Sequence, residues 1–116
     1  MEKSANVFIC QAVKGLNLLP ASDFGKPKYL YDGPAINFNV STVIRQIQKN
    51  LQGAQSGDYI VLVGDPVLMG LCSIEIYEAT DGNFKFLKWD KQTNKYYPIV
   101  IDYSGVPAYD LENVDE

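Results

Sequence analysis

The stretch Asp58-Tyr59-Ile60-Val61-Leu62-Val63-Gly64-Asp65-Pro66 decides the fold of this chain. From Asp58 to Val63 it is apolar and β-branched and is bounded by Gly57 and Gly64, the pattern of a central strand covered on both faces. Asp65 then offers a side-chain oxygen to the first free amides of a helix. Pro66 takes the first helical position, where a missing amide hydrogen costs nothing. A strand that turns directly into a helix begins a β-α-β unit, and such units impose parallel strands and an α/β class.

Reading downstream, the helix extends from Pro66 to about Ala79 and stops at Asp81-Gly82. Ser73-Ile74-Glu75-Ile76-Tyr77-Glu78 also alternates like a strand, and Gly70 lowers helix propensity, but the start and stop signals favour helix. Asn83–Trp89 and Lys95–Asp102 then read as antiparallel strands joined by a turn at residues 90–94.

Reading upstream, Val40, Val43, Ile44, Ile47 and Leu51 recur at helical spacing, while Arg45, Gln46, Gln48, Lys49, Asn50 and Gln52 form a polar face. Asn39 or Ser41 caps this helix at its start, and Gly53 follows it as a left-handed cap would. Asn6 to Val13 is an apolar run with Gln11 inside it and reads as a buried first strand. Residues 16–36 hold Pro20, Gly25, Pro27, Gly33 and Pro34, which predicts a long loop with a short extended piece at Tyr29-Leu30-Tyr31. The expected architecture is α/β with mixed pairing: a single-layer mixed sheet with two helices, in the order β-α-β-α-β-β, ending in a hairpin. Residues 1–103 are expected to form a single domain, and residues 104–116 an acidic tail.

Composition bounds the function. A chain of 116 residues suits a single domain, and 47% hydrophobic with 21% charged residues is globular usage. The net charge is -4, concentrated in Asp102, Asp110, Glu112, Asp115 and Glu116, which leaves ten bases against nine acids in residues 1–101. Such an end is a solvated tail or a dock for a basic partner. The sequence contains no histidine, which removes serine–histidine triads, histidine zinc sites and histidine pH switches. Cys10 and Cys72 lie in apolar segments and read as buried thiols of a reducing compartment. The N-terminus lacks the long apolar core of a secretion signal, and no run approaches the length of a membrane helix. No cofactor motif is present.

Three constellations could carry chemistry. Asp65 stands at the carboxyl end of a parallel strand, the ligand edge of open α/β sheets, and could serve a small metal- or nucleotide-dependent enzyme. The glycine spacing of a phosphate loop is missing, however, and a capping role accounts for this carboxylate. Glu75, Glu78 and Asp81 share a helix face without the spacing of a Ca²⁺ loop. Lys85, Lys88, Lys91 and Lys95 interleave with Trp89 and Tyr96, as single-stranded nucleic acid would need; edge-protecting lysines have the same pattern. Finally, Phe24, Tyr29 and Tyr31 in the long loop are candidate anchors for a protein partner, or else cover one end of the core.

Val7-Phe8-Ile9-Cys10-Gln11, Ile36-Asn37-Phe38-Asn39, the Asp58–Pro66 stretch, Phe86-Leu87-Lys88-Trp89-Asp90 and Tyr96-Tyr97-Pro98-Ile99 together resemble small uncharacterised proteins of marine cyanobacterial tailed phages, over residues 6–103. The resemblance implies a viral protein acting inside a bacterial host and carries no activity or functional residues with it. The expectation is therefore a non-enzymatic accessory protein of the host cytoplasm that binds a host or phage protein, with nucleic acid as the alternative partner and no membrane.

Overall fold

Val7, Phe8, Ile9 and Cys10 are all fully buried, because successive side chains of their strand point into different cores on the two faces of one sheet. The computed structural model describes residues 5–15, 17–33 and 39–105. The elements follow as β1 (Asn6–Gln11), β2 (Lys26–Tyr31), α1 (Val40–Asn50), β3 (Tyr59–Val61), α2 (Pro66–Ala79), β4 (Asn83–Asp90) and β5 (Lys95–Asp102), with single 3-10 turns at Ala21–Asp23 and Tyr103–Gly105. The sheet has five strands in the order β2-β1-β3-β4-β5. The pairs β1–β2, β1–β3 and β3–β4 are parallel, and β4–β5 is the antiparallel hairpin.

The α/β class, the mixed sheet, both helices and the closing hairpin agree with the sequence, and the expected order requires one correction. The predicted long loop contains a full edge strand, β2, so the order is β-β-α-β-α-β-β. Pro27 and the exposed Lys26 and Lys28 look like loop chemistry, yet an edge strand tolerates proline and uses lysine against edge-to-edge pairing. The other departure is length: β3 pairs only over Tyr59–Val61, and Leu62 is 39% exposed instead of covered.

Both helices pack on one face. Val43 and Ile47 of α1, Leu51 just after it, and Leu68, Cys72 and Ile76 of α2 meet Phe8, Cys10, Leu30, Ile60 and Phe84. The connection from β1 to β2 covers the opposite face, where Ala21, Leu18 and Phe24 pack on Val7, Ile9, Val61 and Leu87. Right-handed crossovers that step in opposite directions along a sheet must use opposite faces, which is the arrangement found. Residues 106–116, and with them most of the expected acidic tail, lie outside the described residues, as do residues 16 and 34–36 of the expected loop and residues 37–38 after it.

Candidate functional site

In an open α/β sheet, ligands usually enter where neighbouring strands send their connections to opposite faces, here between the carboxyl ends of β1 and β3. That crevice is filled by the protein itself. The buried side chain of Gln11 donates from Nε2 to the Gly33 carbonyl at 3.0 Å and accepts the Asp65 amide hydrogen on Oε1 at 2.9 Å. Gly64, at φ +101°, lies so close that a Cβ would collide with the Gln11 amide. Asp65 beside it is taken up by the helix: Oδ1 accepts from the Val67 amide at 2.8 Å and the Leu68 amide at 3.4 Å. The same oxygen therefore holds the α2 N-terminus, as the Asp-Pro pattern anticipates.

The open space lies one strand further along. After Val61, paired with Leu87, the chain leaves the sheet towards α2, while β4 continues to Asp90 paired only with β5. The strands split, and the split leaves a cleft of about 590 Å³. Val61, Leu62, Val63, Phe86, Leu87, Trp89, Tyr96 and Ile99 make it largely apolar, and Asn17 and Lys88 add an amide and a cation. Trp89 stands edge-on to Tyr96 at 4.9 Å between ring centres. Burial pushes the Tyr96 hydroxyl above its ordinary pKa of 10.0, so it stays a protonated donor at neutral pH. Among the described residues no ion pair engages Lys88, which is exposed.

A second feature adjoins the first through Phe86. Ser73, Ile74 and Tyr77 of α2 face Phe84, Phe86, Ile101 and Tyr103 across a groove of about 330 Å³. A surface helix normally divides into apolar and polar faces, but the residues of α2 are apolar almost all round. Only one side of it is packed: Leu68, Cys72 and Ile76 are buried, whereas Val67 is 61% and Ile74 58% exposed. Nor is the helix-side face of β5 covered among the described residues, since Tyr97 and Ile99 are 42% and 39% exposed.

The candidates named from the sequence are scattered. On β4, Lys85 and Lys88 face opposite sides by strand alternation. Lys85 donates to the Gly57 carbonyl at 2.9 Å and lies over the Tyr59 ring, 5.0 Å from its centre, while Lys91 and Lys95 stand at the hairpin turn. Phe24 packs on Tyr59 at 5.4 Å, Tyr31 is buried, and Tyr29 lies half-exposed on the edge strand β2. Glu75 accepts from Gln48 Nε2 at 2.9 Å and so turns towards α1. Among the described residues no group of three or more Cys, Asp and Glu side chains could hold a metal. Cys10 and Cys72 are free and buried, and their mutual hydrogen bond together with burial pushes the Cys72 thiol far up. The sequence also gave no sign of Asp58, a buried carboxylate that accepts from the Asn6 amide at 3.0 Å, Asn6 Nδ2 at 2.9 Å and the Gln55 amide at 2.8 Å.

No helix among the described residues is long and apolar enough to cross a membrane. Against known families, residues 5–103 match the model of the Phage Pam3 gp32-like protein, and the chain belongs to that family. No match to a curated protein or to a solved structure was found.

Proposed function

We propose that this phage protein is a non-enzymatic accessory module that works in the host cytoplasm by binding another protein, of host or phage, through the outward face of α2 and the adjoining strip of β4 and β5. The observation that carries this reading is the mismatch between the composition of α2 and its packing. Its apolar residues continue around to Val67 and Ile74, which lie in solvent, and solvent-facing apolar residues that adjoin a groove are the usual mark of a docking surface.

The fold points to the shape of the partner. α1 sits over β2, and α2 over β1 and β4, so the helical layer ends one helix short of the β5 edge. An amphipathic helix laid beside α2, with apolar side chains at i, i+3 and i+7 against Ile74, Phe86, Ile101 and Tyr103, would complete that layer. The nucleic-acid alternative has less support, because a stacking platform needs its cations and rings on one face. Lys85 is engaged with Gly57 and Tyr59, and Tyr96 is buried.

The test compares proteins retained from host cells expressing the tagged parent or the Ile74→Glu variant. One protein held in stoichiometric amount by the parent and lost from the variant, at an unchanged melting temperature, is the expected result. Equal retention by both would place docking elsewhere, and retention lost only from a chain ending at Gly105 would move it to the acidic segment. Absence of any retained protein in all three would overturn the reading.

A further inference from the structure

Independently of protein docking, we infer that the cleft between β3 and β4 is a binding site for a small organic anion with an apolar body, such as an alkyl or aryl carboxylate. Its size lies within the range of small-molecule sites, about 300–1,000 Å³. Its lining has the composition of such sites, with apolar and aromatic walls and a few polar groups. Leu62, Trp89 and Ile99 are each close to 39% exposed, so the walls are reachable from solvent. The polar groups decide the sign of the ligand: among the described residues Lys88 is the only charged side chain in the lining, and the Asn17 amide and the Tyr96 hydroxyl supply neutral partners. Among the described residues no carboxylate lines the cleft, so a cationic head would meet Lys88 without compensation.

The position in the fold agrees with this chemistry. The cleft opens at the carboxyl end of parallel strands β3 and β4, the edge at which α/β sheets hold ligands, whereas the neighbouring switch-point crevice is occupied by Gln11. Along this edge a crevice plugged by Gln11 thus lies beside an open apolar cleft.

The chain carries one tryptophan, Trp89, and it lines the cleft, so its emission reports occupancy directly. The experiment titrates the full chain with decanoate below its micelle concentration and follows Trp89 emission, with decyltrimethylammonium as the matched cation. A saturable emission change with decanoate, a weak response to the cation, and an affinity reduced about tenfold in Lys88→Gln are expected; tenfold corresponds to about 1.4 kcal/mol. Three outcomes would each overturn the inference: no saturable change with decanoate, equal binding of both amphiphiles, or unaltered affinity in Lys88→Gln. Ile74 lies outside the cleft lining, so Ile74→Glu should titrate like the parent, and loss of binding there would also overturn the assignment to this cleft. Because Ile74→Glu removes only partner docking, failure of one proposal leaves the other standing.

Discussion

Replacing Ile76 or Ile74 by alanine, two residues apart on α2, should have very different consequences. Ile76 is fully buried against the sheet, and truncating such a side chain removes its transfer energy and leaves a cavity, a cost of about 2–5 kcal/mol. Ile74 is 58% exposed, so less than half of the roughly 1.5–3 kcal/mol of a fully buried side chain is at stake. Alanine also has the higher helix propensity, by a few tenths of a kcal/mol, which reduces the net loss to about 0.5 kcal/mol. Urea unfolding followed by Trp89 emission gives both values. With a denaturant slope of about 1–3 kcal/mol/M, Ile76→Ala should lower the midpoint by about 1–2 M and Ile74→Ala by no more than about 0.5 M. Comparable losses in the two variants would mean that the outward face of α2 is packed in the free protein, and the docking argument would fail.

Other substitutions test the supporting structure. Gly64→Ala combines a left-handed backbone with a collision against Gln11 and should cost about 1–3 kcal/mol in thermal unfolding; a neutral result would refute the plugged crevice. Asp58→Ala leaves the Asn6 and Gln55 donors without their acceptor and should cost about 2–4 kcal/mol, well above the roughly 1 kcal/mol expected when Asp65→Ala removes a helix cap. Cys10 and Cys72 should resist a thiol reagent such as dithionitrobenzoate at neutral pH until urea unfolds the chain; rapid labelling of the native protein would contradict their burial. The fold favours the neutral forms of Cys72 and Tyr96, whose ordinary pKa values are 9.0 and 10.0. Their stabilising effect is complete below those values and is lost as pH rises above them, so melting temperature should be level between about pH 7 and 8.5 and then fall; a rise above pH 9 would refute the sign.

The parts of the fold that were legible are those in which one local rule acts without competition. The α1 stripe from Val43 to Leu51 follows helical periodicity, the strand before Gly64 is uniformly apolar, and Asp65-Pro66 is a start signal whose hydrogen bonds are both present. β2 was hidden because its edge position reverses the usual meaning of Pro27 and the lysines. The cleft was not legible, because it arises where β3 leaves the sheet before β4 does, and it joins Leu62, Trp89 and Ile99 from separate parts of the chain. The groove had a readable sign. From Val67 to Ile76 only Ser73 and Glu75 are polar, too few to give the helix a wet side as broad as that of α1, and the excess of apolar residues leaves Ile74 exposed.

The docking claim is tested most directly by placing a photo-crosslinking side chain at residue 74 and, as a control, at Lys49 in the last turn of α1, and irradiating host cells that express each variant. The account predicts one discrete crosslinked protein from position 74 and none from position 49. The same products from both positions, or none from position 74 while a partner still copurifies with the parent, would contradict it.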